Sequence, residues 1–401
     1  MSLQRRLTRR WTSAVSAFLA VGLLFGTAAC AKDSKADGAG SASTLKIGFL
    51  GSLSGTYQAV GTDLRKGFEL YLKMHDNKLG GHPIDLKVAD EGDGAETAVP
   101  AATKLIKDEK VIALTGIVGG GSVAGVAKLL DEAKVPLIGS NGRPGLKDVT
   151  RVWTTSFMSS DPGQSIAQYI KDKVNGPVFA IGPDYQGGYD EVGGFTEEFA
   201  KIGGKLANPD GKTLWTPFPQ TTNFLPYFSQ IKSSGAKAVY TFYAGKAAID
   251  FVKQYKQSDI KDIPLYGAFI TEGTVLQAEG EAAKGVYTVC NYSPDLDNEE
   301  NRKFVAAWRQ AYPDITPTTY AMASYDAAAV LDRAIAAAGA NVTPETINEQ
   351  VGKLGQISSP RGQWQFGKNH APIQKWYLRQ VRNDGRVLAN VLVQDLATVG
   401  A

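Results

Sequence analysis

The residues best suited to chemistry lie in three glycine-rich loops. Each loop follows a short apolar run, and the loops span residues 51–55, 116–122 and 139–145. Glycine lets a ligand approach the backbone closely, and a helix that starts there offers unpaired N–H groups to an anion. The loops therefore indicate a carboxylate site, although such glycines also serve simply as tight turns between strands and helices. The candidate residues are Ser54, Gly120, Gly121, Ser122, Ser140 and Gly142.

A second group of candidates combines aromatic rings with one acid. Tyr185 and Tyr243 each follow an apolar run, and Glu272 lies in a Thr-Glu-Gly sequence after a third run. Aromatic faces and a carboxylate could enclose an apolar or cationic group. Core packing explains each tyrosine at least as well, and Glu272 is either solvated or a ligand anchor. Arg143 is either a bidentate carboxylate clamp or a surface residue before Pro144, and the pattern slightly favours the surface.

The sequence lacks the motifs of enzymes and cofactor sites. The three histidines, His75, His82 and His370, are not spaced from one another like metal ligands. The 51–55 loop places leucine where a nucleophile elbow needs serine. The 119–122 run has no G-x-G-x-x-G spacing, and the sequence contains no P-loop. We therefore predict a protein that is not an enzyme and that needs no cofactor and no metal.

The elements that position these loops alternate between strands and helices. Apolar, β-branched runs bounded by Gly, Pro or Asp recur through about 45–155 and again through about 177–285, with helical periods between them. This alternation predicts an α/β protein with two doubly wound lobes and parallel sheets covered on both faces. Ligands of such sheets bind at the carboxyl ends of the strands, where the three loops would lie. The chain is then mainly helical over about 297–353 and ends in three predicted strands.

The first 30 residues have the layout of an export signal. Four arginines at positions 5, 6, 9 and 10 precede an apolar run over 14–25, and small residues then lead to Cys30. The run is shorter than the roughly 20 residues of a spanning helix, which favours a signal over an uncleaved membrane anchor. The layout also resembles the signal of bacterial lipoproteins, in which the cysteine is acylated and becomes the first mature residue. Residues 31–43 are small and polar, which is typical of a flexible tether.

Charge and cysteine content restrict the partners further. The chain has 43 basic and 40 acidic residues, and four of the basic residues lie in the signal, so the remainder is close to neutral. A near-neutral chain lacks the electrostatic surface that nucleic acid requires, and we predict no such partner. Once Cys30 is acylated, Cys290 is the single remaining thiol. We expect Cys290 to be a buried packing residue beside a crossover between the lobes.

Several segments in a fixed order resemble the branched-chain amino-acid-type periplasmic binding proteins, which feed ABC importers. The resemblance covers nearly all of residues 44–395, and its motifs are individually loose but specific in their order and spacing. The matching segments are L-K-I-G-F-L-G-S-L-S-G over 45–55 and those at 61–70, 80–84, 135–138, 184–187 and 250–254.

The resemblance implies a type I periplasmic-binding-protein fold, with two lobes joined by three crossovers and a ligand clamped between them. Closure around the ligand is a hinge movement, and the closed form would be recognised by a membrane permease. The implied crossovers lie near 153–159, 288–292 and 358–363. The implied boundaries are 1–30 for the signal, 31–43 for the tether, 44–157 with 290–357 for lobe 1, and 158–289 with 358–401 for lobe 2.

The resemblance also implies ligand contacts. The loop matching 119–122 would hold a ligand carboxylate, and the loop matching 140–142 would add a small or hydroxyl residue. Glu272 would meet a ligand ammonium, and Tyr185 and Tyr243 would cover the ligand side chain.

This sequence departs from the family pattern at several of those positions. Gly120 stands where the carboxylate-binding serine is usual, with Ser122 displaced by two positions, and Gly142 replaces an expected threonine. The disulfide that family members usually have near the start of the mature chain cannot form here. These departures weaken the assignment to α-amino acids.

The resulting prediction is a monomeric, lipid-anchored, extracytoplasmic solute-binding protein of an ABC importer. Its ligand would be small and carboxylate-bearing, with branched-chain or other apolar amino acids first. Aromatic or other small organic acids or amides come second. A ligand-binding subunit of a sensory receptor would have the same fold and pocket, and that alternative stays open.

Overall fold

The computed structural model describes residues 42–385 and 387–400. The predicted signal, Cys30 and most of the predicted tether lie outside these residues. The first part of the described chain alternates strands with helices, as the sequence predicts. Its elements are β1 (Leu45–Gly51), α1 (Gln58–Met74), β2 (Lys78–Leu79), β3 (His82–Asp90), α2 (Ala95–Thr103), β4 (Ala113–Gly116), α3 (Gly120–Ala133), β5 (Leu137–Gly139), β6 (Gly142–Arg143), β7 (Val152–Thr154) and β8 (Phe157–Met158).

The first sheet runs in the order β2-β3-β1-β4-β5-β7 within the described residues. Its neighbours are parallel except for the β2–β3 pair, and β6 pairs separately with β8. Parallel strands end at the same edge of a sheet, and β1, β4 and β5 are direct neighbours. The three glycine-rich loops follow these strands, so the prediction that they share one edge is confirmed.

The second part of the chain repeats the alternation. Its elements are α4 (Asp161–Lys173), β9 (Val178–Asp184), α5 (Gln186–Lys201), β10 (Leu214–Pro217), α6 (Leu225–Ser234), β11 (Ala238–Phe242), α7 (Gly245–Gln257), β12 (Leu265–Ala268), α8 (Thr274–Glu279) and β13 (Tyr287–Cys290).

The last part is helical and then extended, as predicted. Its elements are α9 (Glu299–Ala311), α10 (Thr319–Ala338), α11 (Pro344–Val351), β14 (Ile357–Ser359), β15 (Gly362–Phe366), β16 (Pro372–Asn383) and β17 (Leu388–Val399). The second sheet runs β10-β9-β11-β12-β13-β16-β15-β14 in the part of the chain that is described, with β17 beside β16. It is parallel through β13 and antiparallel from β13 to β16 onward. The turn sequence N-D-G-R at 383–386 predicts a hairpin between the last two strands, and β16 and β17 pair antiparallel as predicted.

The apolar periodicity of the sequence predicts a helix over 63–77, but helix α1 begins five residues earlier, at Gln58. A side chain at Gly61 would collide with the backbone carbonyl of Ser52, and one at Gly67 would collide with the backbone of Ala321 in α10. These glycines are therefore needed for α1 to pack closely against the first loop and against α10.

A buried polar network joins the three segments predicted as crossovers. Arg361 pairs with Asp326 at 2.6 Å and donates to the carbonyl of Ser156 at 3.2 Å. Asn291 donates to the same carbonyl at 3.0 Å, and Gln374 bonds to both Asn291 and Arg361. The three segments therefore meet in one place and share donors and acceptors. The lobe boundaries themselves remain a prediction.

Among residues 42–385 and 387–400, no helix has the length and apolar character that crossing a bilayer would require. Cys290 is fully buried at the end of β13, as expected, and burial raises the pKa of its thiol to about 11. The burial of this thiol fits a packing residue.

Candidate functional site

The start of α3 carries the strongest polar candidates, and residues 119–122 are called the polar edge below. Gly119 is the N-cap, and it offers no side chain to satisfy the first turn of the helix. The N–H groups of that first turn have no partner within the helix. The Ser122 hydroxyl is buried and lies near the Glu91 carboxylate, to which it can donate. The polar edge therefore presents backbone donors and one hydroxyl to an anion.

An acid from the neighbouring loop already occupies part of this region. Glu91 follows β3 and is buried, and its carboxylate accepts from the N–H groups of Val118 at 2.7 Å and Gly119 at 2.8 Å. The Ser52 hydroxyl also donates to it at 3.3 Å. Burial raises the pKa of Glu91 despite these donors. Sequence reasoning missed Glu91 and Ser52, and the signal that could have found Glu91 is an acid directly after a strand.

The other candidates from the first sheet lie in different environments. Ser140 is buried, and its hydroxyl lies 3.4 Å from that of Thr115. Gly142 lies so close to the Phe157 ring that an added Cβ would come within 2.7 Å of it. Ser54 is exposed and donates to Asp90 at 2.6 Å, which places it outside the polar edge.

Arg143 is buried, so the favoured interpretation as a surface residue is wrong. Only 2% of it is exposed, because it lies in β6 beside β8 and donates to the carbonyls of Pro144 and Asn369. Burial lowers the pKa of Arg143 to about 10, and burial raises the pKa of nearby Asp161 to about 7. The guanidinium is committed to these carbonyls, although its Nε has no partner among the described residues.

Four rings form a second feature, called the aromatic edge below: Tyr57, Tyr185, Phe218 and Phe242. The Tyr185 and Phe218 ring centroids are 4.6 Å apart, and Phe218 stacks with Tyr57 at 6.2 Å. Phe242 lies 6.5 Å from Tyr185. Tyr57 comes from the loop after β1, whereas the other three come from the second sheet and its loops. The aromatic edge therefore reaches across to the first sheet.

A further group of rings lies between the two sheets. Phe157 stacks on Phe269 at 4.6 Å, and Phe269 lies 6.2 Å from Tyr320 and 6.3 Å from Trp376. Tyr320 belongs to α10, whereas Phe269 follows β12. Sequence reasoning named none of these rings, because each alone has the character of a core residue.

Tyr243 does not join either group of rings. Its ring packs against Phe251 at 4.8 Å and Phe224 at 5.2 Å in the core, and its hydroxyl lies 2.9 Å from that of Thr216. Burial raises its pKa. The position favours the core-packing alternative for this tyrosine over the ligand-covering one.

Glu272 is buried and has two partners. One carboxylate oxygen accepts from the guanidinium of Arg379, and the other accepts from the backbone N–H of Thr319 at 3.4 Å. Thr319 is the first residue of α10, so the carboxylate lies where a helix favours negative charge. Of the two alternatives for Glu272, the solvated one is therefore wrong.

A small cavity lies beside Glu272. Its volume is about 10 Å³, on the order of one water molecule, so a larger ligand requires the two sides to separate. The lining residues come from α1, α8, α10 and the segments after β11 and β12: Ala59, Val60, Asp63, Ala244, Gly245, Phe269, Glu272, Thr274, Val275 and Tyr320.

Asp63 is a second acid in this cavity. It accepts from the hydroxyl of Thr318 at 3.1 Å, and burial raises its pKa to about 6. Among the residues that the structure describes, no three His, Cys, Asp or Glu side chains are grouped so that they could hold a metal ion.

The comparisons with known proteins agree with this architecture. Residues 44–386 match the family model described as periplasmic binding protein. The chain is 29% identical over 351 residues to Leu/Ile/Val-binding protein homolog 6 of Brucella melitensis biotype 1, a match that covers 85% of this chain and 88% of that protein.

Two solved structures share the fold over most of their length. One is a solute binding protein of an ABC transporter from R. palustris in complex with benzoate, at 30% identity and a TM-score of 0.79, covering 89% of this chain and 98% of that one. The other is a solute binding protein of an ABC transporter from Rhodopseudomonas palustris HaA2 in complex with p-hydroxybenzoic acid, at 27% identity and a TM-score of 0.79, covering 88% and 97%. The predicted type I fold is confirmed, and the chain belongs to the periplasmic binding protein family.

Proposed function

We propose that this chain is an extracytoplasmic solute-binding protein of an ABC importer and that its ligand is a small aromatic carboxylic acid. The observation that carries the proposal is the meeting of the polar edge and the aromatic edge. Tyr57 links them, because its ring stacks with Phe218 and the N–H of the preceding Thr56 donates to Asp93 at 2.8 Å. Glu91, two residues before Asp93, accepts from the N–H of Gly119 at 2.8 Å. A ligand with an anionic end and a flat apolar body would satisfy both.

The polar edge would hold the carboxylate. The first turn of α3 offers backbone N–H groups, and the Ser122 hydroxyl would add a donor by turning from Glu91 to the ligand. Hydrogen bonds to an ionised group are stronger than neutral ones, which makes such donors effective for a carboxylate. Gly121 leaves the approach open, since an added Cβ there would meet no atom within 4 Å.

The aromatic edge would hold the ring. Aromatic pairs prefer offset or edge-to-face contacts with centroids about 4.5–7 Å apart, and the rings of this edge already have such spacings. Lobe closure over the ligand would complete the enclosure, with the lobes and crossovers as the sequence predicts. The two solved relatives that contain benzoate and p-hydroxybenzoic acid support this ligand class.

An apolar amino acid is the second candidate ligand. The observation in its favour is the similarity to the Brucella protein named as a Leu/Ile/Val-binding homologue. In this candidate Glu272 would hold the ammonium.

Titration calorimetry of the purified protein separates the two candidates. We expect benzoate or 4-hydroxybenzoate to bind, and L-leucine and L-phenylalanine to bind at least tenfold more weakly. A ligand at 100 times its dissociation constant should also stabilise the fold by about 2.7 kcal/mol, which thermal unfolding detects. Binding of L-leucine in preference to both aromatic acids would contradict the proposal.

We also propose that the protein acts as a monomer tethered by lipid at Cys30 and is not an enzyme. A Cys30→Ala variant expressed in the native host should be released from the membrane fraction, whereas Cys290→Ala should stay membrane-bound. Retention of Cys30→Ala in the membrane would contradict the lipid tether. Genes for a permease and an ATPase beside this gene would favour import, and a kinase gene there would favour the sensory alternative.

A further inference from the structure

The Glu272 carboxylate is the site at which an amino-acid ligand would place its ammonium, yet a cation of the chain already meets it. The guanidinium of Arg379 pairs with one oxygen, and the N–H of Thr319 reaches the other at 3.4 Å. The side chains of Glu272 and Arg379 are almost fully buried, with 4% and 1% of their surface exposed, respectively. Such a pair is neutral overall and leaves little attraction for a second cation.

Arg379 is fixed in this position from two further sides. Its Nε donates to the Thr288 hydroxyl at 3.2 Å, and its Nη1 donates to the carbonyl of Tyr292 at 3.0 Å. Both partners belong to β13 or to the segment just after it. The guanidinium cannot turn away from Glu272 without leaving these acceptors unpaired in a buried place, which would be costly.

The other charged group at the cavity does not replace Glu272. Asp63 lines the same cavity as Glu272, but its carboxyl already accepts from the Thr318 hydroxyl at 3.1 Å. A ligand ammonium would therefore find one carboxylate neutralised by Arg379 and the other already hydrogen-bonded to Thr318.

We propose that Arg379 is a specificity-determining residue, which excludes ligands with an α-ammonium group by neutralising Glu272 from within the chain. This inference rests on the proposed function, because it explains why an aromatic acid without an amine would be accepted. Arg379 acts through Glu272 and does not itself contact the ligand.

A matched pair of ligands tests the inference on the unmodified protein. 3-Phenylpropanoate and L-phenylalanine share the ring, the chain length and the carboxylate, and differ only by the α-ammonium group. We expect 3-phenylpropanoate to bind at least 30-fold more tightly by calorimetry. Equal affinities would overturn the inference while leaving the aromatic-acid proposal intact. Failure of benzoate, 4-hydroxybenzoate and 3-phenylpropanoate alike would instead overturn the proposed function.

Substitution of the arginine tests the same point from the protein side. Arg379→Met removes the charge at similar length and should raise the affinity for L-phenylalanine at least tenfold, whereas Arg379→Lys should not. Arg382→Met is the matched control, because Arg382 is exposed on the same strand and donates to the carbonyl of Leu392. If the Arg379→Met protein folds but its affinity for L-phenylalanine does not rise, the inference is overturned.

A double variant tests whether Glu272 is the group through which Arg379 acts. Replacing both partners of a buried ion pair is much less destabilising than removing one. Arg379→Met combined with Glu272→Gln should therefore fold and bind benzoate, and it should show no gain for L-phenylalanine, because the gain needs the Glu272 charge. A gain in the double variant would show that Glu272 is not the group that Arg379 neutralises.

Discussion

The polar edge and the aromatic edge are built in different ways. The polar edge uses backbone N–H groups at the start of one helix and a single hydroxyl, all within residues 119–122. The aromatic edge uses four side chains from four separate loops or strand ends. Backbone N–H groups can bind many different carboxylates, whereas the space between the rings fits ligands of one shape. Changes at the polar edge should therefore weaken every acid ligand alike, and changes at the aromatic edge should alter which acid is preferred.

The largest effect should come from the aromatic edge. Tyr185→Ala removes the ring that contacts both Phe218 and Phe242, and we expect benzoate affinity to fall about 30-fold or more, as at a central contact residue. Tyr185→Phe keeps the ring and should stay within about threefold of the unmodified protein. Calorimetry with benzoate measures both. An unchanged affinity in Tyr185→Ala would mean that the ring is not a ligand contact.

The polar edge should respond somewhat less to loss of one donor. Ser122→Ala removes a hydrogen bond to a charged group, which contributes about 1.5–3 kcal/mol, so affinity should fall about tenfold or more for every acid tested. Ser54→Ala is the control, since Ser54 is exposed and bonded to Asp90. Equal losses in the two variants, or a loss for one acid only, would break the distinction between the edges.

Glu91 allows the polar edge to be strengthened. Its carboxylate lies against the same loop, and it would repel a ligand carboxylate by about 1 kcal/mol at a high effective dielectric. Glu91→Gln should therefore raise the affinity for benzoate about fivefold at pH 8, with some loss of stability because one acceptor for the loop N–H groups becomes a donor. A lower affinity would identify Glu91 as a group that the ligand itself needs.

The smallest expected effect concerns pH and stability. Asp63 has a pKa of about 6 in the folded chain, raised by burial, and a lower value when unfolded, so the folded state binds the proton more tightly. The contribution of Asp63 to the free energy of unfolding is fully present below about pH 4 and is lost as the pH rises through about 6.

Asp63→Asn should remove that loss. Urea unfolding at pH 4.5 and pH 7.5 should show a drop in the free energy of unfolding that is about 1–2 kcal/mol smaller in the variant than in the unmodified protein. An identical drop in the free energy of unfolding in both proteins would contradict the raised pKa of Asp63.

The sequence predicted the architecture well, because the signals for it are local. The apolar run over 238–242 predicts a strand with the bounds that β11 has, and β1, β4 and β5 place the glycine loops at one edge. The observed helix bounds differ from the predicted ones where close packing overrides helix propensity, as at Gly61 near the start of α1. The close approach of Gly61 to the Ser52 carbonyl requires glycine, but the sequence pattern alone does not show that these two residues are neighbours.

The candidate site was predicted less completely, because its contacts are between distant residues. Arg379 lies 107 positions after Glu272, so no local pattern indicates that the acid is already paired. Ser54 and Ser52 are two positions apart, yet only Ser52 donates to the Glu91 carboxylate, whereas Ser54 donates to Asp90. In the sequence, Tyr57 and Phe218 cannot be told from ordinary loop residues, and only the fold makes them neighbours.

A crystal structure of the protein with 4-hydroxybenzoate would test the account most directly. The account predicts the ligand carboxylate about 2.7–3.1 Å from the Ser122 hydroxyl and from N–H groups at the start of α3, with the ring against Tyr185 and Phe218. The Glu272–Arg379 pair should stay intact. A carboxylate bound away from residues 119–122, or a ring that leaves the aromatic edge unoccupied, would contradict the central claim that the two edges hold one ligand.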